Sequence, residues 1–275
     1  MTMRIYHMNG CGNRFAIFDS RSSAPFRPEA EEVRRIANPN DNQVFDQVIG
    51  MESSMRGDVF MRIWNADGSE VSACGNASRC VGSLIIRETG KSEVTIETEA
   101  GLLSAYSAEN GDVTVDMGSP LLTWEHVPLA EKMDTRGADV KVGPIDDPHL
   151  SRPACVNMGN PHATFFVKDV DDYDIPAIGP LVEWHPMFPE GVNVGFAQII
   201  NKTTIRLRVW ERGAGLTKAC GTGACATLVN AVRLKKTKPK ARLILDGGEL
   251  TIEWRKKDDH VLMTGPVELE AEHEV

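Results

Sequence analysis

The run Met61–Gly75, MRIWNADGSEVSACG, returns in altered form at Leu207–Gly221 as LRVWERGAGLTKACG. Arg62 falls on Arg208, Trp64 on Trp210 and Cys74 on Cys220, an offset of 146 residues (220 minus 74). Outward from this pair the echo continues. Gly12-Asn13 matches Gly159-Asn160, and Ala16 and Phe18 match Ala163 and Phe165. Gly101 falls on Gly248 and Gly118 on Gly265, all at an offset of 147 (159 minus 12). Ordered anchors at one spacing over more than a hundred residues mark an internal duplication. We read two repeat units, one ending at Gly118 and one running from about Leu150 to Gly265, joined by the segment Ser119 to Asp147.

Within each unit, apolar residues alternate as strands require: Ile205, Leu207 and Val209 against Arg206, Arg208 and Trp210, and likewise over Val94 to Glu97. Asn110-Gly111 and Asp246-Gly247-Gly248 carry hairpin-turn chemistry and favour adjacent antiparallel strands over helix-linked parallel ones. After Cys74 the apolar positions Ala77, Cys80, Val81, Leu84 and Ile85 follow helical spacing, as do Cys225, Leu228, Val229 and Val232 after Cys220. The expected class is α+β: two pseudo-symmetric duplicated domains, each a mostly antiparallel rolled sheet or barrel around a central helix, with an active site in the cleft between them. The expected halves are 1–118, with the tail 266–275 packed on it, and 119–265.

A chain of 275 residues is long enough for two cores. Its net charge of −9, with dispersed Lys and Arg, argues against a nucleic-acid partner. No stretch reaches the roughly 18 apolar residues of a membrane helix, and the first residues lack a signal peptide's apolar core, so a cytoplasmic protein is expected. The six cysteines show no CxxC spacing, which disfavours a structural zinc site, and do not suggest a disulfide framework. No metal or other cofactor is expected.

Two of the cysteines sit where chemistry is plausible. A helix N-terminus carries about half a positive charge and unsatisfied N–H groups, so a thiolate at Cys74 or Cys220 gains from its position, and a thiol pKa near 8.5 can fall toward neutrality. Gly75 and Gly221 leave room for a carboxylate to approach those N–H groups. If a two-fold cleft brings the helix starts together, a sulfur stands on either face of one α-carbon and the pair inverts a stereocentre. A single Cys-Gly at a helix start reads more readily as a small core residue; two in register reverse that and favour function. Cys80 and Cys225 read as core, and Cys11 stays open.

NADGSEVSACGNASRC and WERGAGLTKACGTGACA resemble the two signature segments of the bacterial diaminopimelate epimerase family. The resemblance also covers MNGCGNRFAIFD, Phe45–Gln47, MGNPHA at Met158–Ala163 and FPEGVNVGF at Phe188–Phe196. It implies a pyridoxal-independent isomerase interconverting LL- and meso-2,6-diaminopimelate for lysine and peptidoglycan precursors, working as a homodimer. By motif, Cys74 and Cys220 are the acid/base pair, and Gly75, Asn76, Gly221 and Thr222 offer N–H groups to the reacting carboxylate. Asn13, Gln47, Asn65, Asn160, Asn193, Glu211 and Arg212 line the substrate site, with His162 in support. An Arg that grips a carboxylate and a Glu that accepts from an ammonium suit a substrate with two amino-acid ends. Asn13 and Asn65 also read as turn residues, Glu211-Arg212 as a surface charge pair and His162 as a satisfied structural histidine. Arg14, Ala77 and Leu216 depart from the family's commoner Asp or Glu, Gly and Glu. A proline or hydroxyproline racemase shares the paired cysteines, but its first cysteine stands before Gly-His rather than Gly-Asn. A reversible Cys74–Cys220 redox switch is the reading from outside enzymology.

Overall fold

A computed structural model describes residues 3–39, 44–144 and 146–274. The chain divides into two compact units, Met1–Asp116 with Thr264–Val275, and Met117–Met263. The first opens with β1 (Arg4–Gly10), β2 (Asn13–Asp19), α1 (Ala30–Ala37), β3 (Gln47–Glu52), β4 (Val59–Asn65) and β5 (Glu70–Val71). Then follow α2 (Gly75–Thr89), β6 (Glu93–Thr98), β7 (Gly101–Ser107) and β8 (Val113–Asp116). The β1–β2 hairpin closes through Cys11 and Gly12, at φ 60° and 84°. Positive φ at both turn positions matches the twist of the strands, and at the non-glycine Cys11 it costs on the order of 1 kcal/mol. The tight turn makes Asn13 the first residue of β2.

The second unit carries β9 (Lys141–Val142), β10 (Leu150–Ser151), β11 (Ala154–Asn157), β12 (Pro161–Val167), α3 (Ile175–Glu183), β13 (Asn193–Asn201), β14 (Thr204–Glu211) and β15 (Gly215–Thr217). It continues through α4 (Gly221–Arg233), β16 (Lys240–Leu245), β17 (Gly248–Arg255) and β18 (His260–Gly265). The segment before β11 belongs to this unit. Val127, Leu129, Ala138, Val140 and Leu150 join a core with Phe165, Phe188, Val194 and Phe196. The chain ends in β19 (Glu268–Glu274), antiparallel to β1.

Alternation and burial agree. Ile205, Leu207 and Val209 are buried, as are Val94, Ile96, Val113 and Val115. In each unit the strands pack on one helix that is buried on most of its surface: 10 of the 15 residues of α2 and 10 of the 13 of α4 are buried, so each is a core helix rather than a surface one. At Gly82 a Cβ would come within 2.7 Å of the Ala105 Cβ, so glycine lets α2 lie directly on β7.

Both units are mixed sheets, mostly antiparallel. The turns at Asn110-Gly111 and Asp246-Gly247 join antiparallel neighbours, β7–β8 and β16–β17, as expected, and the sheets also hold the parallel pairs β4–β6, joined through α2, and β14–β16, joined through α4. The pairs β2–β3 and β12–β13 are parallel as well. A strand that hands the chain to a helix packed across the sheet returns in its original direction, and the turn residues carry no trace of that crossover. Among the described residues no helix is long and apolar enough to cross a membrane.

Candidate active site

Cys74 and Cys220 are the N-caps of α2 and α4, both with extended backbone. Their carbonyls accept the first helical bonds, from Ser78 and Ala224, each at 2.9 Å. Equivalent helices thus begin at equivalent thiols. Their surroundings differ. Cys74 is half-buried and Cys220 is buried. The Gly223 N–H donates to the Cys220 Sγ at 3.3 Å, and Thr222 Oγ1 lies 3.6 Å from the same sulfur. Burial pushes the Cys220 thiol well above its ordinary pKa, and the neighbouring Glu211 carboxylate adds to the rise. The helix-start argument, taken alone, points the other way. Burial outweighs it here because a thiolate out of water loses more solvation than one turn of helix returns.

In the first unit, strand ends bring several of the expected site residues together. Gln47 opens β3 directly opposite Asn65, the last residue of β4, and the Gln47 Nε2 donates to the Asn65 Oδ1 at 3.0 Å. The Asn76 Nδ2, in the first turn of α2, donates to the Asn13 Oδ1. Arg79, with no exposed surface, donates through Nη1 to the Asn76 Oδ1 at 2.8 Å. An Arg inside an apolar helix pattern carries no sequence mark of burial.

In the second unit, His162 on β12 is the register partner of Asn193 at the start of β13. His162 Nε2 lies 2.9 Å from the Asn160 Oδ1 and 3.1 Å from Thr222 Oγ1, so one ring edge ties the turn before β12 to the start of α4. Burial, helped by the Arg212 charge, lowers the His162 pKa to about 3, which keeps the ring neutral at physiological pH. Asn193 donates to the Pro161 carbonyl at 2.8 Å and accepts from the Arg212 backbone N–H at 2.9 Å. The Arg212 side chain is exposed, with Nη1 donating to the Glu190 carbonyl at 2.7 Å. Glu211 Oε1 accepts from Thr217 Oγ1 at 2.5 Å. Thr217 was not anticipated, and a hydroxyl in a three-residue strand gives no signal of its own.

The model of the family described as diaminopimelate epimerase matches residues 5–123 and 154–270. A diaminopimelate epimerase from Caulobacter sp. (strain K31) is 50% identical, with 98% of this chain and 96% of the relative covered. One from Methylorubrum extorquens (strain PA1) is also 50% identical, over 98% and 93%. The chain belongs to the diaminopimelate epimerase family.

Solved structures extend the fold beyond this family. A PhzF-family phenazine biosynthesis protein from Bacillus anthracis matches with a TM-score of 0.66 at 17% identity, covering 100% of this chain and 99% of that one. A hydroxyproline epimerase from Agrobacterium vitis matches with a TM-score of 0.66 at 17% identity, covering 100% and 91%. At such identities the likeness is one of fold.

The three departures from the commoner family pattern have local homes. Arg14 pairs with Glu270 of β19, Nη2 to Oε2 at 2.7 Å, and its backbone N–H donates to Asp46 at 2.8 Å, one residue before Gln47. Ala77 is buried in α2. Leu216 stands opposite Trp210 and packs on the core of its unit. Cys80 and Cys225 are fully buried, and burial pushes the Cys80 thiol up to about 12.

Proposed function

We propose that this chain epimerises LL-2,6-diaminopimelate to the meso isomer without a cofactor, using Cys74 and Cys220 as a thiolate/thiol pair that serves the two faces of one α-carbon. The observation that carries the reading is the duplication itself: two thiols at the N-caps of two equivalent core helices, in a chain of this family. The thiolate takes the α-proton and leaves a carbanion delocalised into the carboxylate; the opposite thiol delivers its own proton and becomes the thiolate. The net change is one inverted centre and one proton moved from sulfur to sulfur, and the reverse turnover exchanges the roles. N–H groups at Gly75, Asn76, Gly221 and Thr222 receive the carboxylate as its charge grows.

Glu211 connects binding to chemistry. In the free protein its charge helps to hold the Cys220 thiol up. A substrate ammonium against Glu211 cancels that repulsion, so the Cys220 thiolate becomes accessible once substrate is bound. Arg212, with its exposed guanidinium, grips the second carboxylate bidentately. Asn13, Gln47, Asn65, Asn160 and Asn193 supply amide donors and acceptors to the remaining polar groups. His162, kept neutral, orients Thr222 and Asn160 and is no competitor for the α-proton. The wider reading is a cytoplasmic homodimer whose halves, 1–118 with 266–275 and 119–265, each contribute one thiol.

The reduced protein, incubated in deuterated water with LL-diaminopimelate and no pyridoxal phosphate, should incorporate deuterium at the α-carbon while forming the meso isomer. Cys74→Ala and Cys220→Ala should each lose both by about a thousandfold, within the range for removal of a positioned acid or base. Proline racemisation with no diaminopimelate turnover, or full activity in either variant, overturns the reading.

A further inference from the structure

Glu183, the last residue of α3, is only 4% exposed, yet both donors to its carboxylate are neutral N–H groups. The Trp210 Nε1 donates to Oε2 at 2.6 Å and the Gly213 backbone N–H donates to Oε1 at 2.9 Å. Trp210 and Gly213 bracket Glu211 and Arg212. The Glu183 carbonyl also accepts the Val192 N–H at 3.0 Å, one residue before Asn193, whose Oδ1 holds the Arg212 N–H. One residue therefore grips the start of β13 through its main chain and the end of β14 through its side chain. The packing is close: a Cβ at Gly179 of α3 would come within 2.4 Å of the Trp210 ring carbons. The turn itself runs through Gly213 at φ 76° and an exposed Ala214, so little apolar contact fixes it from outside.

Burying a carboxylate among neutral donors is costly, and a core position gains nothing from it that a glutamine or a leucine would not supply more cheaply. What the carboxylate offers is two oxygens, each placed against a donor. A glutamine turns one of its ends into a donor facing a donor, and one side of the turn comes loose.

We propose that Glu183 is the positioning residue of the Glu211–Arg212 substrate grip, holding the turn that aims both side chains. The inference rests on the reading of Glu211 and Arg212 as substrate groups. Glu183 touches no substrate; it acts through Trp210 and Gly213. Its replacement therefore weakens capture of the doubly charged substrate more than it slows proton transfer at the thiols.

The test is steady-state kinetics on the full-length reduced protein with LL-diaminopimelate, beside thermal unfolding. Glu183→Gln should raise KM about tenfold, the weight of one hydrogen bond to a charged group, with kcat changed less than about threefold. A lowered unfolding temperature with KM within about twofold of the native value makes Glu183 merely structural and overturns the proposal. Trp210→Phe keeps an aromatic ring and removes one of the two donors to the same carboxylate; it should raise KM by a comparable factor of about tenfold. If Glu183→Gln does not fold, an unchanged KM in Trp210→Phe overturns the proposal instead. Absence of turnover in the native chain defeats the substrate reading and this inference together, whereas native turnover with unmoved variants defeats only the role of Glu183.

Discussion

Where the first half carries Asn65, joined through its amide to Gln47 at 3.0 Å, the duplicated position in the second half carries Glu211, joined to Thr217 at 2.5 Å. Where the first half has Asn76 donating to Asn13, the second has Thr222 beside His162. The scaffold repeats, down to the helix that starts at the cysteine. The side chains do not: at these positions the first half carries neutral amides and a half-buried thiol, the second a carboxylate, a guanidinium and a buried thiol. On the proposed reading, the duplicated fold holds two thiols in equivalent positions while leaving charge recognition to one side. One end of the substrate then reacts while the other is only held, so the chemistry wants symmetry and the binding does not.

The largest expected consequence lies at the charged side. Arg212→Leu should raise KM for LL-diaminopimelate about a hundredfold, the scale of a lost bidentate ion pair, whereas Asn65→Ala should raise it about tenfold, the scale of one or two neutral hydrogen bonds. Equal effects in steady-state kinetics would erase the contrast between the halves. The thiols offer a second comparison. Iodoacetamide at pH 8 should modify Cys74 at least about tenfold faster than Cys220, since burial and the Glu211 carboxylate hold the Cys220 thiol protonated and burial keeps reagent from it. Peptide mapping after timed quenching reads both rates, and faster modification of Cys220 would reverse the electrostatic assignment.

A further effect is one of stability. His162 titrates near 3 when folded and near its ordinary 6.5 when unfolded, so over that interval the unfolded chain binds the extra proton. Its contribution is complete above about pH 6.5 and declines as the pH falls toward 3, by up to about 1.4 kcal/mol per pH unit. Urea unfolding at pH 6.5, 5.5 and 4.5 should therefore show a shallower pH dependence for His162→Gln than for the native chain. Parallel curves would mean that the ring is not held neutral by burial.

Much of this architecture was written in local pattern. The 146-residue echo declared the duplication because a fold built twice needs its glycines, alternating strands and helix starts twice. Cys74 and Cys220 stood out for the same reason, and burial of Ile205, Leu207 and Val209 followed from their alternation alone. The parallel pairings β4–β6 and β14–β16 were not legible, because a crossover is a property of where a helix packs rather than of any turn residue. Nor was Glu183: it is a Glu at a helix end, like many on protein surfaces, until tertiary packing withdraws it from water and sets Trp210 and Gly213 against its two oxygens. The sequence determined which residues repeat and which carry charge, since periodicity and side-chain chemistry are local. Only the tertiary structure decided which of them lie in low dielectric. That is why the helix-start rule for a thiol gave way at Cys220, where desolvation depends on every neighbour the fold brings in.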